Sequence, residues 1–361
     1  GTSFNGADAF SYVFTLNDIR VEASGDNKLY YYESGSYQAG TSYTTASYET
    51  LLNDRVNRFT APFYGGYDGL DVKLPDPFAN SQLSGKTELN SSAYYTIKRA
   101  IDTVADPEAV DMNLISMPGL TNEALTTHLL NVSEDRADTM ALIDLPSVYT
   151  PPHEAYNASF SGRLGSGAEA TANTLKNRRL DTSYGATFYP WVQTLDQQTS
   201  RLVWIPPSVA MMGVLASSQA AAHLWFAPAG FNRGGLSDGA AGIPITNVTE
   251  RLTSKDRDTL YEAKINPIAS FPSTGLVVFG QKTLQERASA LDRINVRRLV
   301  IYLKKQISIL STQVLFEQNV PTTWNRFKSL VEPFLANVKT QFGITDYRLI
   351  LDETTTTPDL V

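Results

Sequence analysis

Helix-like and strand-like segments alternate from about residue 94 onward, and this alternation constrains the fold more than any other feature of the sequence. Apolar residues recur at helical spacing in four segments, 94–103, 122–130, 168–180 and 209–222. Strand-like runs lie between and after them, at 112–117, 140–145, 187–195, 201–205, 276–279 and 347–351. Because such helices must cover a sheet, this part is predicted to be a layered α/β structure with a parallel or mixed sheet.

The first 85 or so residues have a different composition, with six tyrosines between Tyr30 and Tyr48 among Ser, Thr and Gly. Closely spaced aromatic and β-branched residues favour antiparallel strands, here at 11–15 and 18–23. A solvated or subunit-facing sheet is favoured over a Tyr-rich ligand platform. The chain is therefore predicted to be a multi-domain mixture of α+β and α/β structure. A β-rich part at 1–88 precedes an α/β core at 89–361, in which helices pack on a mixed sheet.

Two further helices are predicted near the end of the chain. Ser289 and Asp292 have the spacing of a capping box, and apolar residues follow at helical intervals. The second helix has Thr323 as its candidate N-cap, and Gly343 is expected to end it. Pro333 lies inside the second pattern, so a kink or a break is predicted there.

Composition excludes several function classes. The chain has no cysteine, which removes disulfides, thiolate metal sites and cysteine nucleophiles. Its net charge of −7 argues against direct nucleic-acid binding, which needs phosphate-neutralising charge. No apolar run approaches the ~18 residues that a membrane-spanning helix needs, so no membrane insertion is predicted.

Three patterns resemble catalytic or cofactor motifs. Gly235-Leu-Ser237-Asp-Gly239 matches the hydrolase elbow, but no histidine lies after His223 to serve as its base. Gly165-Ser-Gly167-Ala-Glu-Ala170 fits a relaxed dinucleotide fingerprint without a convincing strand before it. Pro152-His153-Glu154 lacks the spacing of a metal site. His128 and His223 are interpreted as packing or structural residues, and we predict no enzymatic activity, no cofactor and no metal.

Five basic residues cluster on the first of the two late helices: Arg293, Arg297, Arg298, Lys304 and Lys305. Such a cluster is most often a solvated helix face. In an assembly it is a candidate contact to an acidic neighbour.

The region from Tyr189 to Phe316 resembles contractile tail sheath proteins of the bacteriophage type. The resemblance is carried by an ordered series of motifs, namely Tyr189-Pro-Trp191, Val203-Trp-Ile-Pro-Pro-Ser208, Trp225-Phe-Ala-Pro228-Ala-Gly230-Phe-Asn-Arg233-Gly, Ile265-Asn-Pro267, Gly275-Leu-Val-Val-Phe-Gly280 and Arg293-Ile-Asn-Val-Arg-Arg-Leu299. Weaker similarity extends upstream to Gly65-Gly-Tyr-Asp-Gly69, Met117-Pro-Gly119 and Leu142-Ile-Asp-Leu-Pro146. Several motifs in one order are more specific than any of them alone.

The resemblance implies a mechanical role. Members of this family polymerise helically around an inner tail tube, connect to a baseplate, and contract to drive the tube through the host envelope during genome delivery. The implied partners are other sheath subunits, the tube protein and the baseplate. The implied location is the virion tail, after assembly in the host cytoplasm.

The resemblance also implies terminal arms that add strands to neighbouring subunits, and the sequence departs from that pattern. The chain is expected to be a fragment trimmed at both ends, with the C-terminal part of the core missing, and therefore to be monomeric. Two alternatives to the sheath subunit stay open at this point: an α/β enzyme, either a hydrolase or a nucleotide-binding protein, and a carbohydrate-binding surface module based on the tyrosines.

Overall fold

The computed structural model describes residues 19–24, 27–32, 78, 80–147 and 167–352, the first two segments through their backbone alone. The chain divides into two compact units, residues 1–100 and 101–361. Several predictions lie outside the described residues: the strand at 11–15, the tyrosines at 37, 43 and 48, the glycine loop at 65–69, and His153.

In the first unit, strands β1 (Ile19–Ser24) and β2 (Asn27–Tyr32) pair antiparallel, with Ile19 opposite Tyr32. The strand predicted at 18–23 is therefore confirmed. A short helix, α1 (Asn80–Leu83), follows later, and then α2 (Ser92–Thr103), which runs across the division between the units.

A five-stranded mixed sheet forms the centre of the second unit. Four strands are parallel, and the last is antiparallel to its neighbour, in the order β10-β9-β5-β4-β3. The strands are β3 (Leu114–Ser116), β4 (Met140–Ile143), β5 (Gly185–Tyr189), β9 (Asn266–Phe271) and β10 (Gly275–Val278). The predicted α/β architecture, with helices on a mixed sheet, is confirmed.

Helices connect the parallel strands, as two parallel neighbours require. Helix α3 (Glu123–Arg136) joins β3 to β4, and the Asn122 side chain caps it by accepting the Leu125 amide at 3.1 Å. Helix α4 (Ala168–Arg178) lies between β4 and β5. Both helices end at a residue with a left-handed backbone, Ala137 and Arg179.

The connection from β5 to β9 contains a second, antiparallel sheet with the order β7-β6-β8. It consists of β6 (Val192–Asp196), β7 (Arg201–Ile205) and β8 (Ile245–Val248). Helix α5 (Pro207–Ala221) follows β7, and α6 (Ser254–Glu262) precedes β9. The main apolar core joins both sheets to α5, since Met211 and Leu215 of α5 pack with Phe188 of β5 and Val192 of β6.

Two long helices complete the described chain, α7 (Ile294–Ser311) and α8 (Pro321–Thr340). A second apolar cluster holds them together, with Trp225, Leu299 and Val338 at its centre. Helix α8 is assigned continuously through Pro333, so the predicted break does not occur.

Four local predictions are wrong. Residues 347–351 form no strand, and the run predicted at 187–195 is two strands separated at Pro190. Ser289 caps only a short 3-10 turn at Ala290–Asp292, and α7 begins after it. Helix α8 begins at Pro321 rather than after Thr323, because proline suits a first turn whose amides have no partner inside the helix.

Candidate functional site

Asp144 is the most tightly held carboxylate in the described part of the chain. It follows β4 directly and is 1% exposed. One carboxylate oxygen accepts the Gly119 amide at 2.9 Å and the Ser208 hydroxyl at 2.6 Å, and the other accepts the Ser208 amide at 3.1 Å. Burial raises the pKa of Asp144 from 3.8 to about 6, and the three hydrogen bonds oppose that shift.

The position of Asp144 explains how α5 begins. The residue before this helix, Pro206, provides no side-chain cap. The free amides at a helix start need an acceptor, and a negative group is favoured there. Asp144 supplies both from the residue that follows β4. Three of the sequence motifs, at 117–119, 142–146 and 203–208, thus meet at one buried carboxylate, which the sequence analysis did not identify.

A second polar junction lies at the motif Tyr189-Pro-Trp191. The Glu250 carboxylate accepts the Tyr189 hydroxyl at 2.5 Å and the Ala168 amide, at the start of α4, at 3.1 Å. The Trp191 indole donates to the Leu145 carbonyl at 2.9 Å. These contacts join the antiparallel sheet to the end of β4 and to α4. The side chains of the motif are therefore explained by the packing of the fold.

The same Glu250 carboxylate also contacts the dinucleotide-like segment at 165–170. Gly167 precedes α4, and the Glu250 carboxylate occupies the start of that helix, where a pyrophosphate would have to bind. Residues 148–166, which include the beginning of the fingerprint, lie outside the described chain.

The hydrolase-like segment forms part of a loop over the edge of β10. The Ser237 hydroxyl accepts the Leu276 amide at 2.9 Å, and no strand leads into the segment. Asp144 and Ser208 also form a serine–carboxylate pair, but both residues are 1% exposed, and among the described residues no histidine hydrogen-bonds to either. Neither serine is therefore arranged for nucleophilic attack on a substrate.

The two described histidines have structural partners. His128 hydrogen-bonds to Asp102 at 2.6 Å, which joins α3 to the end of α2. His223 stacks on Trp225 with ring centroids 4.7 Å apart. Among the described residues, no three His, Asp or Glu side chains are grouped to hold a metal ion. None of the described helices has the length and apolarity needed to cross a bilayer.

The five basic residues of α7 do not share one environment. Arg297 is buried, hydrogen-bonds to Ser183, and places its guanidinium 4.1 Å from the Tyr184 ring centroid. Arg298 is also buried and donates to Gln219 at 3.0 Å. Burial lowers the pKa of Arg297, and it lowers the pKa of Arg298 to about 10.

The other three basic residues lie nearer the surface. Arg293 donates to the Tyr261 hydroxyl at 2.6 Å and pairs with Asp292 at 3.2 Å. Lys305 forms an ion pair with Asp111. Lys304 is exposed and has no ion-pair partner within the described ranges. Arg293 and Lys305 are thus partly engaged inside the fold, and the assembly contact of the five basic residues stays a prediction.

Comparison with known proteins finds one family model and several curated relatives. Residues 93–284, just over half of the chain, match the family model described as the phage tail sheath protein central domain. The tail sheath protein of Vibrio phage KVP40 is 30% identical over 264 residues, covering 70% of this chain and 38% of its own length. The tail sheath protein of Enterobacteria phage T4 is 29% identical and covers 76% of this chain and 42% of its own length. The chain therefore spans about two fifths of these relatives.

Two solved structures share the fold. A chain from the baseplate of the anti-feeding prophage is 20% identical, with a TM-score of 0.54 over 73% of this chain and 64% of that chain. A chain from the contracted sheath complex of an extracellular contractile injection system is 19% identical, also at 0.54, over 85% of this chain and 77% of that chain. At these identities the similarity concerns the fold.

Proposed function

The chain belongs to the phage tail sheath protein family, and from this premise we propose that it is a structural subunit of a contractile tail sheath. In this role it polymerises helically around the inner tail tube. Contraction of the polymer then drives the tube through the host envelope during genome delivery. The family match over 93–284 is the observation that carries the proposal.

The described fold is suited to a mechanical role. Its polar groups at Asp144, Ser208, Glu250 and Tyr189 are used to join secondary-structure elements rather than to form an open reactive site. A subunit made rigid in this way can change its contacts with neighbours while keeping its own shape. Sheath shortening is then a switch between two packings of rigid subunits through head-to-tail contacts.

The partners follow from the same role. They are other copies of the subunit, the inner tube protein and the baseplate, without direct contact to nucleic acid and without membrane insertion. We place the protein in the virion tail after assembly in the host cytoplasm. The β-rich part at 1–88 and the core at 89–361 are proposed as its domains, and the 361-residue chain alone is proposed to be monomeric in dilute solution.

Electron microscopy of the protein expressed at full length, without other phage components, tests the proposed function. We expect tubes with the appearance of contracted sheath, because sheath contacts are made between copies of one chain. Full-length protein that stays monomeric at every concentration examined would contradict the proposal. Sedimentation of the 361-residue chain is expected to show a monomer, and stable rings or polymers would contradict that part.

The exposed cation of α7 gives a second prediction. Lys304→Glu in the full-length protein is expected to impair assembly on tubes, because Lys304 is exposed and has no described intramolecular ion pair. Lys255→Glu on α6 is the matched control, since Lys255 is also exposed. Arg297 and Arg298 are unsuitable for charge reversal because both are buried. If the Lys304 variant assembles on as many tubes as the wild type, as counted in micrographs, the proposed contact of Lys304 is wrong.

A further inference from the structure

Three phenylalanine rings and one guanidinium form an exposed patch beside β10. Phe271 lies 5.3 Å from Phe231 and 5.2 Å from Phe279, measured between ring centroids. The Arg257 guanidinium lies 5.5 Å from the Phe271 ring and 6.0 Å from the Phe279 ring. These four residues are called the phenylalanine patch below. Phe231 is 48% exposed and Phe279 44%, so the rings contact each other but remain open to solvent.

Backbone hydrogen bonds fix the loop that carries Phe231. The Gly230 amide donates to the Val278 carbonyl at 2.9 Å, and the Val278 amide donates to the Gly234 carbonyl at 2.9 Å. The loop therefore covers the edge of β10 and holds Phe231 against the other two rings. Among the described residues, Arg257 pairs with no carboxylate, and its guanidinium lies close to two aromatic rings. Aromatic residues and arginine are the types enriched at the centres of protein interfaces.

A second apolar surface lies at the connection between α7 and α8. Four exposed apolar side chains define this tip: Ile309, Leu315, Phe316 and Val320. Phe316 is 100% exposed and has a left-handed backbone with φ of 65°. A bulky residue in that conformation is strained, and here the ring gains no burial in return. Glu317 follows directly, and its ion pair with Arg326 is a solvent-exposed one at 3.3 Å.

We propose that the tip of one copy docks on the phenylalanine patch of a second copy. The apolar side chains of the tip would cover the three rings, and Glu317 would face Arg257, which pairs with no carboxylate in the described part of the chain. Since the two surfaces differ, the contact is head-to-tail and does not close on itself, as a helical polymer requires. The inference rests on the proposed sheath function, and it names one subunit contact within that function.

Charge favours a protein over the other occupant that such a patch suggests. Aromatic rings with an arginine can stack single-stranded nucleic acid, but that binding also needs a cationic groove along the backbone. The patch contributes one guanidinium in a chain of net charge −7. An apolar tip that carries one exposed carboxylate, Glu317, complements the patch without needing such a groove.

The absence of cysteine makes this contact directly testable, since introduced thiols are the only ones present. Asn232→Cys places a thiol beside the patch, and Gln318→Cys places one beside the tip; both positions are exposed. The double variant, concentrated and mildly oxidised, is expected to give a ladder of covalent oligomers. The control pair combines Gln318→Cys with Asn247→Cys on exposed β8 and is expected to stay mostly monomeric.

Three further variants in the double-cysteine background test the chemistry of the contact. Phe316→Gly should abolish the ladder without lowering Tm, because glycine adopts the left-handed backbone freely. Arg257→Glu should reduce the ladder about fivefold, as expected for a rim ion pair. Adding Glu317→Arg to Arg257→Glu should restore it, whereas Lys255→Glu should leave it unchanged.

An equal ladder from the control pair, no ladder at any concentration, or a ladder insensitive to Phe316→Gly would overturn the docking proposal. Binding of a fluorescent single-stranded oligonucleotide that is lost in Phe231→Ala would instead assign the patch to nucleic acid. If the full-length protein forms sheath-like tubes while the cysteine pair does not cross-link, this contact is wrong and the sheath function stands.

Discussion

As the pH rises from about 3 to about 7, Asp144 is expected to remove about 3 kcal/mol from the free energy of unfolding. The pKa of Asp144 is about 6 in the folded protein, against 3.8 as its ordinary value. A folded pKa above the unfolded one means that the folded state holds the proton more tightly. The contribution is therefore fully present below pH 4, is lost as pH rises through 6, and does not change further above that.

Asp144→Asn removes this titration, so the difference in stability between the wild type and the variant reports the contribution of Asp144. The variant is expected to be less stable than the wild type at pH 4, because the neutral acid can donate to the Ser208 hydroxyl oxygen and still accept both backbone amides, whereas the NH₂ of asparagine must face one of those two amide donors. The difference should shrink towards pH 7, where the wild type carries a buried charge. Urea unfolding at several pH values gives the comparison.

Asp196→Asn is the matched control for Asp144→Asn. Asp196 is a surface carboxylate whose pKa is lowered mainly by the Thr199 hydroxyl and then by the Gln198 amide. Its stabilising contribution is present at neutral pH and is lost as pH falls, so the sign is opposite to that of Asp144. Parallel stability curves for the wild type and Asp144→Asn from pH 4 to 7 would show that the buried carboxylate does not titrate as described.

The fold could be predicted where burial leaves a local pattern in the sequence. Strand β4 (Met140–Ile143) is buried along its whole length and therefore reads as a continuous apolar run. Strand β9 (Asn266–Phe271) was missed because Pro267 argues against a strand, although its carbonyl still accepts the Phe279 amide at 2.9 Å. Helix α6 was missed because only Leu260 of its residues is buried, so no apolar stripe marks it.

The candidate site shows the limit of local patterns more clearly. Arg297 and Lys304 lie seven residues apart, which places them on nearly the same face of α7. Arg297 is nevertheless buried against Ser183 and Tyr184, while Lys304 is exposed, because the turn that is covered depends on the packing of other elements. Asp144 was missed for a related reason. Its partners Gly119 and Ser208 lie 25 and 64 residues away along the chain. A single aspartate between the apolar residues Ile143 and Leu145 was the only local signal.

Gly213→Ala is expected to destabilise the protein by about 2 to 3 kcal/mol, although alanine is the better helix former. In an exposed helix interior this substitution would add about 1 kcal/mol of stability. Gly213 lies within α5, where an added Cβ would approach the Ala241 carbonyl oxygen to 2.0 Å. The Ala241 carbonyl belongs to the backbone, so it cannot avoid the added Cβ by a rotamer change as a side chain could. The Ser217 hydroxyl also donates to the Ala240 carbonyl at 2.6 Å, which holds this loop against α5.

Ala216→Gly is the control for Gly213→Ala, because Ala216 is exposed on the same helix and should lose only about 1 kcal/mol from helix propensity. Urea unfolding of both variants at pH 7 separates the two effects. A Gly213→Ala variant as stable as the wild type would mean that α5 and the loop at Ala241 do not approach as closely as described. The expected loss of stability would show that the core needs this close approach between α5 and the loop at Ala241. The same loop begins at the segment that holds Phe231 over the edge of β10.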